Sequence, residues 1–488
     1  MMKQSRILLF LVIIVSCSGL VRGGEGNYSS SSVLASGKWF KIPITGDGIY
    51  RIDYSKLKQL GLTDPSNPKI FTNNCGQLSY YNDGTAPDDL REIAVFTSKG
   101  NDGIFNEGDY LLFYGQGTGR WIFNSATGDF SYLRHNYSDS AFYFLTSGGR
   151  QGNRSAAAEM AASQPNHFSS SSDALFIHEE ESENLLHSGR EWYQPVSSSK
   201  ETIIETGFSD LTTAEKINYK LRVLARSSSS TSFRLSENGT AVGNVTVPGI
   251  DPSSSTGIYA QSAMLEGDFA PSSGSPVLNL QFLNNGSVSA TGWIDYVIVH
   301  ARKYNKFDGK TSFYMDSGSV GQGIVTEFTI TSSVGNVTVW DVTDPFSVKT
   351  IPYSVSGNNL IFRMETDSLR RFAAFTSNSV ITPETFIPLP PQDLHSSSPA
   401  DMIIVAHPLF VPYALRLAGI HETNSGLVSM VVTPVQIYNE FSGGTPDIAA
   451  IRNFIRMKYI AQKNTARPLK YLLLFGDGSY NNRILPPD

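Results

Sequence analysis

The side chains of this sequence that could do chemistry fall in a few short stretches. Gly100-Asn101-Asp102-Gly103-Ile104-Phe105-Asn106-Glu107-Gly108-Asp109 sets Asp102, Asn106 and Asp109 around a glycine turn. Several carboxylate and amide oxygens on a tightly turning loop suit calcium. The residue order of an EF-hand and its distal bidentate glutamate are missing. Asx residues also fill ordinary turns for local hydrogen-bonding reasons, so both readings stand. His407 follows one apolar run and Gly476-Asp477-Gly478 follows another, the places from which catalytic groups work in a parallel sheet. Each has a plain use as well: His-Pro ends a strand, and Asp477 either faces a substrate or caps a loop. Near the start, Ile14-Val15-Ser16-Cys17 looks like a lipobox, which makes Cys17 a candidate for lipidation. Ordinary cleavage after Ser18 or Gly23 is equally compatible with the text.

The search for a nucleophile ends differently. A thiol mechanism needs a cysteine and a histidine base converging on one carbonyl. The two cysteines, Cys17 and Cys75, lie far upstream of His407, and none of the eight histidines is followed by glycine. No Gly-x-Ser-x-Gly elbow, His-Glu-x-x-His pair or phosphate loop is present. No residue is therefore assigned a catalytic role, and the sequence as written is expected not to catalyse acyl transfer.

Positioning His407 and Asp477 falls to residues 400–488. Asp401 to Pro408, Leu427 to Val432 and Tyr471 to Gly478 read as buried strands, with a helix around Tyr413 to His421 between the first two. Thr445-Pro446-Asp447 reads as the N-cap and first turn of a long helix. Its Ile448, Ile451, Ile455 and Tyr459 form a stripe expected to face the core. Short apolar strands alternating with helices predict a parallel, doubly wound sheet.

The text upstream is β-rich. Residues 38–150 form a mixed β unit that begins with a hairpin, Lys38 to Ile44 and Ile49 to Ile52 joined through Gly46-Asp47-Gly48. A short helix from Tyr54 stops at Gly61. Residues 201–305 alternate as an antiparallel sandwich of jelly-roll type, and 306–377 form a further β-rich domain. Residues 151–200 show less order. Residues 378–399, around Pro388 to Pro391, read as a stiff linker and the clearest boundary.

Lys3, Arg6 and the apolar run Ile7 to Val15 have the layout of a secretory signal peptide over residues 1–23, followed by a flexible Gly/Ser-rich leader over 24–36. With Cys75 the only other thiol, no disulfide is expected, and core burial must hold the exported chain together. A net charge of −6 gives no reason to expect nucleic acid as a partner.

Several of these stretches resemble the gingipain cysteine-peptidase family. Ala400 to Val405 with His407-Pro408, Ile437 to Asp447 and Tyr471 to Arg483 carry the likeness. Upstream, it extends to Trp39 to Ile42, Gly48 to Ile52, Asp102 to Phe105 and Gly108 to Gly115. Within the family the text is most similar to the sortase-type component of the type IX secretion system. The resemblance implies a caspase-like α/β domain behind β-rich domains, at the outer membrane and surface of a Bacteroidetes-type bacterium, with no required cofactor. It implies secreted cargo proteins with C-terminal sorting domains as substrates and other type IX secretion components as partners. It also implies removal of the sorting domain and transfer of the new carboxyl end to an anionic lipopolysaccharide. The family's catalytic His, in a Gly-His-Gly-like turn, and its Cys, after a later strand, have no counterpart here. The chain is thus expected to be an N-terminal part, with the dyad beyond Asp488. The alternative is an exported, non-catalytic surface protein whose β domains bind glycan or protein partners.

Overall fold

The structure, a computed structural model, describes residues 28–73, 76–479 and 481–483. The signal-peptide reading, Cys17 and Cys75 lie outside the described residues.

Two small sheets form the first unit. Trp39–Ile44 lies between Ile387–Leu389 and Ala141–Ser147, and the sheet continues through Pro68–Thr72 to Arg91–Glu92, all antiparallel. Gly48–Asp53 belongs to the second sheet, beside Tyr110–Gly115 and then Phe96–Thr97. The expected hairpin is therefore not formed. Phe40, Ile42 and Ile44 of one sheet pack on Tyr50, Ile52, Leu111 and Phe113 of the other. Burying both apolar faces is worth more than one short ladder between sequence neighbours. The Gly46-Asp47-Gly48 turn becomes a corner between sheets, pinned where Asp47 accepts from the Gly117 amide at 2.9 Å and from Arg371 at 2.7 Å. The short helix forms over Tyr54–Gln59.

The sandwich is as expected. Ser171–His178, Thr291–Tyr304, Ile217–Arg226 and Gln261–Phe269 form one sheet, and Thr202–Ile204, Leu278–Leu283, Thr231–Glu237 and Thr240–Val247 form the other. Leu221, Val223, Phe233, Phe282 and Val297 fill the space between. Residues 151–200, read as less ordered, contribute to the sandwich, because Ser171 and Ser172 open a strand paired with Thr291–Tyr304. Strands at Val325–Ser332, Thr338–Asp341 and Asn359–Glu365 build the third unit around Phe328, Phe362 and Phe372. Trp340, Val342 and Phe375 in turn join it to Ile49, Leu112 and Tyr114 of the first.

Two segments read as a linker and a flexible leader are built into the fold. Ile387–Leu389 of the proline-rich stretch is an edge strand on Trp39–Lys41, a place where missing amide donors cost little. Residues 28–36 of the leader are also ordered: Leu34 is fully buried against Trp39, Phe71, Leu90 and Phe144.

The α/β unit has the expected order of elements, but its last strand is not buried as expected: Tyr471, Leu472 and Leu474 are exposed. β1 (Met402–Ala406), α1 (Val411–Ser425), β2 (Ser429–Val432), α2 (Pro434–Phe441), α3 (Ile448–Gln462) and β3 (Tyr471–Phe475) give a parallel sheet of order β2–β1–β3. Helix α2 was not anticipated, although Thr433 and Gln436 close a capping box around its start. Asp447, not Thr445, caps α3 by accepting from the Ala449 amide at 2.8 Å. The expected stripe is only half in the core: Ile451 and Ile455 are partly buried against it. Ile448 and Tyr459 are exposed, while Ala450, Asn453, Phe454 and Met457 are buried. Polar members of that face are buried for a reason. Lys458 donates to the Ser397 carbonyl at 2.6 Å and Gln462 to that of Ala400 at 2.8 Å, so both grip the chain that enters β1. Among the described residues no helix is long and apolar enough to cross a membrane.

Candidate active-site edge of the sheet

In the order β2–β1–β3, the chain leaves the central strand first to one side and later to the other. The crevice at such a reversal opens beyond the carboxyl ends, here of β1 and β3. The structure brings His407 and Gly476 together there. The His407 amide donates to the Phe475 carbonyl at 3.3 Å, and a Cβ at Gly476 would lie 3.9 Å from that of His407. His407 Nδ1 accepts from the Leu409 amide at 3.3 Å and so caps the turn Pro408–Phe410. In the neutral ring this leaves the proton on Nε2, a hydrogen-bond donor. Asp477 is turned onto its own loop, where it accepts from the Gly478 amide at 2.8 Å. The edge offers a donor and close backbone approach, with no cysteine beside them among the described residues.

The calcium-loop residues lie in another unit. Asp102 accepts from the Ile104 amide at 2.9 Å and from Asn106 Nδ2 at 2.8 Å. Asp109 accepts from the Ser98 hydroxyl at 2.9 Å and the Asn106 amide at 3.0 Å. Each of the four carboxylate oxygens is engaged within or beside the loop, which accounts for its turn.

A cluster that sequence reasoning missed joins the β-rich base to the α/β unit. His395 is fully buried as a side chain, with Nε2 at 3.0 Å from Asp88 Oδ1 and Nδ1 at 2.7 Å from Glu440 Oε2. Its ring stacks on Phe441 at 5.0 Å with planes 4° apart. Burial alone would lower the imidazole pKa, but the hydrogen bonds to Asp88 and Glu440 outweigh it and push it up to about 10. Asp89, buried beside it, is raised to about 6 by desolvation. Asp393, His395 and Glu440 are close enough together to suggest a metal site. Both imidazole nitrogens are nevertheless taken by carboxylates, and Glu440 also accepts from Gln392 and the Leu394 amide. The protonated ring already fills the cation's place. The partners come from three distant stretches, so no local signal could have revealed them.

Further contacts flank this joint. Lys41 Nζ donates to the Gly444 carbonyl at 2.7 Å and sits 3.8 Å from the Phe142 ring centroid. Without a carboxylate partner, burial pushes its pKa down to about 7. Gly443 and Gly444 both have positive φ, and a Cβ on Gly444 would meet Lys41 Cε at 2.5 Å. Arg452 reaches back to the Ser79 and Tyr80 carbonyls at 2.8 and 2.6 Å. Asp447 accepts from the Leu78 amide at 2.9 Å.

Residues 395–488, which hold the α/β unit, match the model of peptidase family C25, the gingipain family. The solved structure of dimeric latent PorU from Porphyromonas gingivalis extends the likeness upstream. It superposes with a TM-score of 0.80 at 24% identity, over 93% of this chain and 43% of PorU. At that identity the likeness is one of fold, and the chain spans less than half of PorU's length. The insecticidal delta-endotoxin Cry8Ea1 from Bacillus thuringiensis gives a TM-score of 0.19 at 10% identity, over 57% of this chain and 54% of its own. The coat protein of Tobacco streak virus gives 0.16 at 10% identity, over 30% of this chain and 92% of its own. Neither score carries an argument. No curated protein matches the sequence. The resemblance read from the sequence is borne out in both parts: the family at the C-terminal end, and the PorU fold over most of the chain.

Proposed function

We infer that this chain supplies the β-rich base and the first part of the catalytic domain of a PorU-like cysteine peptidase, a sortase of the type IX secretion system. The observation that carries the reading is the coincidence of two likenesses. The C25 match begins at 395, where the α/β sheet starts, and the fold upstream follows PorU as well. The substrates would be secreted proteins bearing C-terminal sorting domains, and the partners other components of that system, at an outer membrane facing outward. The catalytic Cys and His would come from chain that follows β3 in the family, and His407 and Gly476 would line the near wall of the crevice. The test pairs this chain with the longest natural polypeptide that contains it. Each is incubated with a cargo protein carrying a sorting domain and with a thiol-reactive probe. Thiol-dependent removal of the domain by the longer polypeptide alone supports the reading. Turnover by this chain, or none by either, overturns it. For location, fractionation of cells carrying Cys17→Ala reports on the anchor. Unchanged outer-membrane retention rules out lipidation as the means of attachment.

A further inference from the structure

The ordered segment 28–36 runs across the junction between the two units rather than along either of them. Tyr28 packs at one end on the core that includes Leu394 and Phe441. At the other end, Leu34 is sealed among Trp39, Phe71, Leu90 and Phe144. Between these anchors Ser29, Ser31 and Ser32 turn donors onto carboxylates. The Ser29 amide donates to Asp88 at 2.6 Å, the Ser31 hydroxyl and Ser32 amide to Asp393 at 2.6 and 2.9 Å, and the Ser32 hydroxyl and Val33 amide to Asp89 at 3.1 and 2.7 Å. The Leu34 carbonyl accepts from the Gln392 amide at 3.0 Å. These same carboxylates hold the α/β unit. Asp88 shares His395 with Glu440 of α2, and Gln392 donates to Glu440 and to the Gln436 carbonyl, both at 2.8 Å.

We propose that Tyr28–Ala35 is a releasable strap whose seating on Asp88, Asp89 and Asp393 locks helix α2, and with it the carboxyl end of β2, onto the β-rich base. Backbone amides and hydroxyls are the natural partners of buried carboxylates, and no other cation in the cluster competes with His395 for them. When the strap leaves, three carboxylates lose donors at once. Asp88 then draws His395 away from Glu440, and α2 loses its fixed neighbour. Since only Thr433 separates β2 from α2, the placement of α2 sets that of β2 beside β1, the strand whose end borders the crevice. That last step rests on the peptidase reading, but the strap itself does not.

The test uses hydrogen exchange, which needs no enzymatic activity. In the chain lacking residues 28–35, amides of α2 should exchange at least tenfold faster, while those of Ile217–Arg226 in the sandwich stay protected. A synthetic peptide of residues 28–37 added in trans should restore α2 protection saturably. A full-length Asp89→Asn/Asp393→Asn variant covers the case in which the deletion fails to fold. There, Ser32, Val33 and α2 should lose protection together. Unchanged α2 exchange in either variant overturns the proposal, as does a freed strap beside a still-protected α2. So does peptide addition that leaves α2 of a folded, deleted chain unprotected.

Discussion

Lys41 and His395 flank the same joint with pKa values displaced in opposite directions, and removing either should expose the other's pH dependence. His395 is held up at about 10 against an unfolded value near 6.5. Its contribution is therefore full below about pH 6.5 and is lost as pH rises toward 10. Lys41 is pushed down to about 7 from 10.5. Its buried ammonium opposes docking below about pH 7, and that penalty disappears as pH rises toward 10.5. Each proton contributes about 1.4 kcal/mol per pH unit, so between pH 8 and 9.5 the two slopes of about 2 kcal/mol cancel. Asp89, at about 6, has already ionised. Asp88 and Asp393 are held low, burial being outweighed by hydrogen bonds from His395 and Ser29 for the first and from Ser31 and Ser32 for the second. The Tyr28 hydroxyl near Arg456 is raised by burial and stays protonated in this window. The opening free energy of α2, from hydrogen exchange corrected for intrinsic rate, should therefore be nearly level in the wild type. For Lys41→Met it should fall, relative to wild type, by about 2 kcal/mol over that range. For His395→Gln it should rise by about the same amount. Parallel profiles in all three proteins would refute the charge states assigned to both residues.

Three further perturbations follow from the packing. Gly444→Ala sets a methyl against Lys41 Cε and Phe144 at φ +81° and should cost about 1–3 kcal/mol, read as a lowered denaturation midpoint. Residues 400–488 alone should not melt cooperatively as a monomer in circular dichroism. Leu472 and Leu474 of β3 are already exposed, at 46% and 62%, and the isolated piece would also uncover the faces that the β-rich base now seals. Phe328→Ala removes a ring stacked on Phe362 and edge-on to Phe372. It should destabilise the third unit by about 3–5 kcal/mol while leaving α2 exchange unchanged.

What the sequence revealed follows the range of the forces involved. β1 and β3 were legible as strands because unbroken apolar runs mark the strands of a parallel sheet, although only β1 has both faces buried. His407 and Gly476 were legible with them, since strand ends mark the crevice. The first hairpin was not legible. Gly46-Asp47-Gly48 suits a turn, yet whether the flanking strands pair with each other or with Ala141–Ser147 and Tyr110–Gly115 depends on which apolar faces need covering. The phase of α3 failed for a related reason. Counting isoleucines finds Ile451 and Ile455 at the edge of the core, but the buried face also includes Lys458 and Gln462, which are inside because of the hydrogen bonds they make.

The joint was the least legible feature, and its chemistry explains why it is built from charge. An apolar seam between α2 and the base could slide by a residue at little cost. Buried carboxylates cannot, because each requires particular donors and an unpaired one is expensive. Asp88, Asp89, Asp393 and Glu440 are satisfied together by His395, Gln392 and the amides and hydroxyls of residues 29–33. In this seating the leader segment, the 88–90 loop, the proline-rich stretch and α2 all meet. Such a cluster adds less net stability than an apolar core of the same volume, but it fixes the relative position of the two units. Positional accuracy of that kind is what a crevice assembled from strand ends requires of its supports.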